Sequence, residues 1–234
     1  MKYNFEKDNS VISKAIIDRL PLYYRTLRNL YNEGIEIISS EDLGRINSVT
    51  PEQIRKDLST FGEFGKKGVG YYVAQLMFHI AEILGLNSNW NTAIVGVGHL
   101  GWALANYKNH SMNNFKLKAI FDVDPEKVDK YIDDVKIYHV DKIREVVKEH
   151  DIKIGIVTVP ADYAQNVTNH LIEAGVKGIW NFAPTKIVVP KDVFLTNEDL
   201  SIKLGVISYH LHNKTLEKNR WFLNNKMENL NGEY

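Results

Sequence analysis

Residues 93–101 read Ala-Ile-Val-Gly-Val-Gly-His-Leu-Gly, and this stretch decides the fold of the second half of the chain. A β-branched run leads directly into three glycines with the spacing G-x-G-x-x-G. In dinucleotide-binding units the first glycine permits a tight turn, the second lets the backbone approach a pyrophosphate, and the third lets the following helix pack closely. The alternative is a tight strand-to-helix turn without a ligand. The predicted dinucleotide-binding residues are Gly96, Val97, Gly98, His99, Leu100 and Gly101.

An acidic residue in the expected place strengthens this prediction. A second strand is expected over residues 117–121, and it ends at Asp122, 21 residues after Gly101. A carboxylate there can bind the ribose hydroxyls and disfavours a 2′-phosphate, so the sequence predicts NADH and NAD⁺ rather than their phosphorylated forms. Asp124 is a rival for the ribose role, but Asp124-Pro125 better suits the N-cap and first position of a helix.

Short β-branched runs alternate with helical stretches from residue 91 to about residue 197. This alternation is typical of an α/β fold with a parallel, doubly wound sheet, that is, a Rossmann domain. It predicts a helix after Pro125 and a long last helix from about Leu200. We expect three segments: a DNA-binding domain over residues 1–86, the Rossmann domain over 87–198, and a C-terminal helix and tail over 199–234.

The N-terminal half of the chain is expected to be helical with one glycine-rich interruption. Apolar residues recur at spacings of three and four along a first helix, and a short second helix follows. Thr50, Pro51 and Gln53 suit the N-cap, first position and capping box of a third helix. Residues 61–72 then alternate aromatic side chains with glycines around Lys66-Lys67, as in a β-hairpin. Together these elements predict a winged helix-turn-helix.

Polar and basic side chains gather on the outer face of this third helix and at the tip of the hairpin. A winged helix presents these two surfaces to the major groove and to an adjacent phosphate backbone. A solvated charged face is the alternative interpretation. The predicted contacts with double-stranded DNA are Thr50, Gln53, Arg55, Lys56, Ser59, Lys66 and Lys67.

Composition limits the other possibilities. The 234 residues are 44% hydrophobic and carry a net charge of zero, so no global field favours nucleic acid or membranes. The chain has no cysteine and no apolar run of the roughly 18 residues that a membrane helix needs, so we expect a soluble cytoplasmic protein. We find no helical Tyr-x-x-x-Lys dyad, substrate domain or metal-binding histidine pattern, which argues against an enzyme. An NAD-dependent oxidoreductase and a CoA- or nucleotide-binding regulatory module remain alternatives.

Seven stretches, taken in order, carry a resemblance that spans both predicted domains. They are residues 19–25 (RLPLYYR), 55–59 (RKDLS), 61–71 (FGEFGKKGVGY), 96–101 (GVGHLG), 121–125 (FDVDP), 157–160 (VTVP) and 181–184 (NFAP). With them, residues 13–211 resemble Rex, the family of redox-sensing transcriptional repressors of bacteria. The resemblance implies a homodimer on an inverted-repeat operator, with a swapped C-terminal helix. It also implies that NADH releases the repressor from DNA, whereas NAD⁺ competes and leaves it bound.

Some functional residues are implied by this resemblance. Arg19 matches an arginine that pairs across the dimer with an acid at the start of the terminal helix, here Asp199, as an interdomain switch. Tyr107 matches a tyrosine that lies near the nicotinamide. An apolar pocket around that ring would reject its charged, oxidised form because desolvating a charge is costly. We expect the other residues of this pocket to be Val159, Pro160, Phe182 and Ala183.

Overall fold

A computed structural model describes residues 12–66, 68–107 and 114–213, which form two compact units. The chain passes from the first unit to the second between Asn89 and Trp90. Among the helices of the described ranges, none is both long enough and apolar enough to span a membrane.

The first unit is a winged helix-turn-helix, which confirms the prediction from the sequence. Its helices are α1 (Lys14–Asn32), α2 (Ser40–Asn47), α3 (Pro51–Ser59) and α4 (Val73–Ile83), and its strands are β1 (Ile37–Ile38), β2 (Gly65–Lys66) and β3 (Gly70–Tyr72). β3 pairs antiparallel with β2 to form the wing, and it pairs with β1 on its other side. Sequence reasoning missed β1 because two residues are too few to show the alternation of a strand.

Helical periodicity explains the core of this unit. The inward side chains recur at spacings of three and four on α1 and one turn apart on α3 and α4, so each helix buries one stripe. Burial of each such side chain stabilises the fold by about 1.5–3 kcal/mol. The opposite face of α3 remains in solvent. The buried stripes comprise Leu20, Tyr23 and Leu27 of α1, Ile54 and Leu58 of α3, and Leu76 and Ile80 of α4.

The second unit is a Rossmann fold, again as predicted. Its strands are β4 (Trp90–Val95), β5 (Phe115–Asp122), β6 (Tyr131–Ile132), β7 (Val135–His139), β8 (Ile154–Val157), β9 (Gly178–Asn181) and β10 (Phe194–Asn197). Its helices are α5 (His99–Ala105), α6 (Ile143–Glu149), α7 (Ala161–Ala174) and a last helix over residues 200–213, here α8. The spatial order is β10-β9-β8-β4-β5-β7-β6, and every pair except β6–β7 is parallel. Without β6 this is the doubly wound order, whose ligands bind at the carboxyl ends of the strands beside the switch point, here between β4 and β8.

Helices cover the two faces of this sheet unequally. On one face α6 and α7 pack over a core that includes Val157 and Ile179. On the other face Ala105 of α5 packs against a smaller core around Ile120. Side chains alternate along a strand, so Ile156 of β8 and Trp180 of β9 point to this second face. Ile156 is only half-buried and Trp180 is 36% exposed, so this end of the second face is incompletely covered.

The region after β5 differs from the prediction. Instead of a helix after Pro125, residues 125–129 form a turn, and the β6–β7 hairpin follows. The hairpin reverses at Asp133, whose φ of 52° is left-handed, a conformation that aspartate tolerates better than most residues. The edge strand β10 was also missed, because its four residues alternate too briefly to be distinguished from a loop. The predicted fold class is right, whereas this one helix is wrong.

Candidate functional site

The glycine loop connects the carboxyl end of β4 to α5, and two of its three glycines have a steric reason within the protein. Gly96 has a φ of 97°, and a Cβ there would come within 2.9 Å of the Thr158 carbonyl oxygen. A Cβ on Gly101 would overlap the Gly96 carbonyl oxygen, so only glycine lets α5 start this close to the loop. Apart from its two chain neighbours, a Cβ on Gly98 would meet no atom of the described residues within 4 Å, which leaves that backbone open to a ligand. This is the division of roles that the spacing predicts.

Asp122 lies at the same edge of the sheet, at the carboxyl end of β5. Its Oδ2 accepts the Val97 N–H at 2.6 Å, and its Oδ1 accepts the Asp124 N–H at 2.9 Å. The Lys127 ammonium lies 3.7 Å from Oδ2. The nearly buried carboxylate is therefore held beside the glycine loop, and it helps to shape that loop.

Asp124, the rival acid, has a different environment. Its Oδ1 accepts the Glu126 N–H at 2.9 Å, and its carboxylate lies 3.2 Å from the Lys127 ammonium. The backbone hydrogen bond from Glu126, followed by the hydrogen bond from Lys127, lowers the pKa of Asp124. Asp124 therefore caps the chain reversal after β5, although that reversal is a turn rather than the expected helix.

The carboxyl end of β8 is tied to the glycine loop by Thr158. The Thr158 hydroxyl donates to the Gly96 carbonyl oxygen at 2.7 Å, and the Val95 carbonyl oxygen lies 3.0 Å from the same hydroxyl. Sequence reasoning missed this role, although Thr158 lies inside the Val-Thr-Val-Pro stretch. The predicted pocket residues follow β8 and β9 at this edge: half-buried Val159, exposed Pro160, half-buried Phe182 and buried Ala183.

Asn181, the last residue of β9, is a second residue that sequence reasoning missed. Its side chain is fully buried, and its Oδ1 accepts the Ala183 N–H at 3.0 Å. Its Nδ2 lies 3.2 Å from the Ala183 carbonyl oxygen, 3.0 Å from that of Thr185, and 2.9 Å from Asn197 Oδ1. Buried polar groups are normally satisfied in this way, and here the bonds fix the loop that carries Phe182 and Ala183.

The other predicted cofactor residues differ in exposure. Val97 is buried, Leu100 is half-buried, and His99 is exposed at the first position of α5. Tyr107, two residues after α5, is 68% exposed. Within the described ranges, no group of three or more His, Asp or Glu side chains is arranged to hold a metal ion. This edge offers backbone amides, a fixed carboxylate and apolar surface, which suits the phosphates, ribose and ring of a dinucleotide.

The outer face of α3 is polar and exposed, as predicted. Arg55, Lys56 and Ser59 are all exposed. The Arg55 guanidinium donates to Ser40 Oγ at 2.7 Å and to Glu52 Oε1 at 3.1 Å, so it bridges α2 and α3. A cavity of about 630 Å³ lies between this face and the wing. Lys56 therefore presents its charge to solvent, whereas Arg55 is already paired.

Thr50 and Gln53, like Arg55, make hydrogen bonds within their own unit. Thr50 is the N-cap of α3, and its Oγ1 accepts the Gln53 N–H at 3.2 Å. The Gln53 side chain does not complete the expected capping box, because its Nε2 donates at 2.6 Å to the buried Asp57 carboxylate one turn later. The Lys66 ammonium lies over the ring of Tyr72, 5.4 Å from the centre of that ring. Lys67 lies outside the described residues.

Asp57 is a fully buried carboxylate on the inner side of α3, and it is the observed partner of Arg19. Arg19 of α1 binds it with two hydrogen bonds, of 2.6 and 2.7 Å, and the Tyr23 hydroxyl donates at 2.7 Å. Burial by itself would raise the pKa of Asp57, but the hydrogen bonds from Arg19, Tyr23 and Gln53 outweigh burial and hold that pKa below its usual value. The hydrogen bond to Asp57 raises the pKa of Arg19. The contact is thus a charged pair, which sequence reasoning missed.

Asp199, the predicted partner of Arg19, belongs to the second unit and caps α8. Its Oδ1 accepts the Ser201 hydroxyl proton at 2.5 Å and the Ser201 N–H at 2.8 Å, and these bonds lower the pKa of Asp199. Large apolar side chains lie on two opposite faces of α8, and each is at least 50% exposed. A helix with so much exposed apolar surface needs a partner surface. These side chains are Leu200, Ile202, Leu204, Val206, Ile207, Tyr209 and Leu211.

Family models match both halves of the chain. The model described as "Putative DNA-binding protein N-terminus" matches residues 11–59, and the model described as "CoA binding domain" matches residues 87–185. The first range falls in the winged-helix unit, and the second contains the glycine loop and Asp122.

Curated relatives match nearly the whole chain. The redox-sensing transcriptional repressor Rex of Caldicellulosiruptor bescii is 46% identical over 216 residues, which are 92% of this chain and 99% of the relative. The Rex protein of Syntrophobacter fumaroxidans is 49% identical over 201 residues, 86% of this chain and 96% of the relative. These relatives are named repressors rather than enzymes, which confirms that prediction.

Solved structures of RSP, a Rex-family repressor, match the same extent of the chain. The complex with NAD⁺ and operator DNA has a TM-score of 0.84 at 41% identity, and covers 90% of this chain and 97% of RSP. The complex with NADH has a TM-score of 0.81 at 40% identity, with coverages of 90% and 99%. The match spans both units and confirms the predicted fold class.

Proposed function

The chain belongs to the Rex family of redox-sensing transcriptional repressors, and from this we propose that it binds operator DNA as a homodimer and releases it on binding NADH. One observation carries the proposal: a single chain combines a glycine loop that is open only at Gly98 with a winged helix whose outer face is polar and cationic. RSP, which is similar over both units, binds NAD⁺ together with operator DNA, and also binds NADH. Because its partner is chromosomal DNA, we place the protein in the cytoplasm.

The dinucleotide would lie across the carboxyl ends of β4, β5, β8 and β9. The loop from Gly96 to Gly101 would hold the pyrophosphate, with Asp122 on the ribose. The nicotinamide would lie against apolar surface, and oxidation gives that ring a positive charge. Desolvating a charge is costly, so an apolar pocket favours NADH over NAD⁺. The pocket would be formed by Tyr107, Val159, Pro160, Phe182 and Ala183.

The DNA interface would be the outer face of α3 and the wing. Lys56 and Ser59 are exposed there, and Lys66 lies on the wing across the cavity from α3. A recognition helix in the major groove with a wing over the next phosphates is the usual docking of this fold. To contact DNA, Arg55 would have to break its hydrogen bond to Glu52 and bind a phosphate or a base instead. Thr50, Gln53 and Lys67 complete the proposed set.

The dimer would form through α8. An exposed apolar helix and an incompletely covered sheet face occur in the same unit, at Ile156 and Trp180 among others. A swapped α8 packed on the partner subunit would remove both apolar surfaces from water at about 25 cal/mol per Å². A two-fold dimer also matches the symmetry of an inverted-repeat operator.

Arg19 would be the interdomain switch. In this structure it binds Asp57 of its own α3, and in the other state it would bind the partner subunit's Asp199. A ligand shifts such an equilibrium only by its differential affinity for the two states. Reversing a 99:1 bias takes about 5.5 kcal/mol, so each of two NADH molecules must prefer the released state by roughly 2.7 kcal/mol, about a hundredfold.

A gel-shift assay on a DNA containing an inverted repeat tests the proposed function. We expect a retarded complex in the absence of NADH that is lost when NADH is added. An oxidoreductase with an unrelated helical domain would give no retarded complex, and that result would contradict the proposal. A retarded complex that persists in saturating NADH would contradict the sensor function while leaving DNA binding intact.

A further inference from the structure

A single buried amide is hydrogen-bonded in two directions at the end of β9. Toward the following loop, Asn181 Nδ2 lies 3.2 Å from the Ala183 carbonyl oxygen and 3.0 Å from the Thr185 carbonyl oxygen. Toward the neighbouring strand, the same nitrogen lies 2.9 Å from Asn197 Oδ1 at the end of β10. An amide nitrogen has two hydrogens, so three acceptors compete for two donors. Strengthening one of these bonds therefore weakens another.

The connection continues through the backbone to the start of α8. The Asn181 carbonyl oxygen accepts the Glu198 N–H at 2.8 Å, and Asn197 and Asn181 are register partners in the parallel β9–β10 pair. Asp199 is the next residue, and it caps α8. Both the side chain and the backbone of Asn181 thus hold the segment from which Asp199 projects.

We propose that Asn181 and Asn197 are positioning residues that connect the loop after β9 to the switch acid Asp199. The inference rests on the proposed function for the identity of the ligand. Phe182 and Ala183, which lie in the loop held by Asn181, are two of the proposed nicotinamide contacts. NADH that binds against these two residues shifts the Ala183 and Thr185 carbonyls. Because these carbonyls compete with Asn197 for the Asn181 amide hydrogens, the shift changes the hydrogen bond between Asn181 and Asn197.

The physical reason is that Asn181 Nδ2 has two hydrogens and three acceptors, so the network has two arrangements. In one, the Nδ2 hydrogens serve Asn197 and one loop carbonyl, and in the other they serve both loop carbonyls. Hydrogen-bond strength falls steeply with distance and angle, so a small displacement of the loop is enough to change the preferred arrangement. Because the Asn181 amide is fully buried, water does not replace an acceptor that Asn181 loses, whereas the exposed Asn197 oxygen turns to solvent when it is released.

Asn197 is the residue to change, because Asn181 is fully buried and its replacement endangers folding. Asn197→Ala removes the competing acceptor from an exposed side chain, and Asn197→Asp keeps an acceptor oxygen on a side chain of the same length. Asn169→Ala is a matched control: Asn169 is an exposed asparagine of the same unit whose Oδ1 also accepts from a side-chain amide, Gln165 Nε2, at 2.9 Å.

The measurement is the ratio of the operator dissociation constants with and without saturating NADH, from fluorescence anisotropy of labelled operator. In Asn197→Ala we expect this ratio to fall about tenfold, while the NADH affinity of the DNA-free protein stays within about twofold of wild type. Asn197→Asp and Asn169→Ala should retain the wild-type ratio. By linkage, the smaller ratio in Asn197→Ala must also appear as an altered NADH affinity of the operator-bound protein. A purely structural defect does not predict this change.

Three other outcomes would contradict either the proposed connection through Asn197 or the proposed function. A wild-type ratio in Asn197→Ala removes the proposed connection and leaves the repressor function standing. An equal fall in Asn169→Ala also overturns it, because the effect would then follow from any lost amide bond. If NADH does not change the operator affinity of the wild-type protein, the proposed function is wrong, and the proposed connection is wrong with it.

Discussion

The substitution Gly98→Ala separates ligand binding from folding at the glycine loop. Gly98 has φ −77° and ψ −168°, extended backbone that alanine adopts freely, and apart from its chain neighbours the added methyl group would meet no atom of the described part of the chain within 4 Å. The folded protein is therefore not strained. Alanine also restricts the unfolded chain, which stabilises by about 0.4–1 kcal/mol at a compatible site. The ligand-free variant should unfold at or slightly above the wild-type temperature.

In the proposed complex, the same methyl group would occupy the space that a bound pyrophosphate needs. A phosphate pushed away from the loop loses one or two charge-assisted hydrogen bonds to backbone amides, at about 1.5–4 kcal/mol in total. The NADH dissociation constant should rise by about 10- to 1,000-fold. Operator binding in the absence of NADH should be unchanged, because the winged helix is a separate unit.

The assay is isothermal titration calorimetry with NADH, alongside thermal unfolding of the ligand-free protein. Gly101→Ala is the contrasting variant, because its Cβ would overlap the Gly96 carbonyl oxygen and should destabilise the fold itself. Wild-type NADH affinity in a correctly folded Gly98→Ala protein would refute the assignment of this loop to the pyrophosphate.

Three further substitutions test the other parts of the account. Lys56→Ala should weaken operator binding and lower the slope of log affinity against log salt by about one unit if Lys56 meets a phosphate, as read from anisotropy titrations at several salt concentrations; an unchanged affinity and slope would remove Lys56 from the interface. Arg19→Ala should shift acid unfolding, followed by circular dichroism, to higher pH. In the wild type, ionised Asp57 stabilises the fold above its unfolded pKa, and this stabilisation is lost as the pH falls through its lowered folded pKa. Without Arg19, burial raises the folded pKa of Asp57, so the stabilisation is lost at a higher pH. An unchanged acid midpoint would contradict this role of the pair. Asp199→Asn keeps an oxygen to cap α8 but loses the charge, so NADH binding, measured by calorimetry, should persist while operator release is blunted; full release would exclude the proposed ion pair with Arg19.

The glycine loop shows why the second unit could be predicted from its sequence. The roles of Gly96 and Gly101 follow from local geometry, since Gly96 has a positive φ and a Cβ on Gly101 would overlap the Gly96 carbonyl oxygen. The buried faces of the helices were equally predictable, because periodicity depends only on neighbouring positions. The helix wrongly expected after Pro125 shows the limit: a good N-cap permits a helix, but the chain at Asp133 turns into a hairpin instead.

Two of the missed residues, Asp57 and Thr158, act across long sequence separations. Asp57 binds Arg19 from 38 positions away, and Thr158 meets Gly96 from 62 positions away. A single sequence contains no periodic signal for such pairs. The Gln53 side chain shows a second limit at short range, because its position fits a capping box and yet it binds the buried Asp57 carboxylate four positions later.

The most direct test compares the two redox forms of the dinucleotide on one protein. Labelled operator is titrated with the full-length chain in buffer, in NADH and in NAD⁺, and fluorescence anisotropy gives the three dissociation constants. We predict that NADH weakens operator binding at concentrations at which NAD⁺ leaves it unchanged, and that added NAD⁺ restores binding in competition with NADH. Equal weakening by both forms, or by neither, would contradict the central claim that this chain reads the redox state of the nicotinamide.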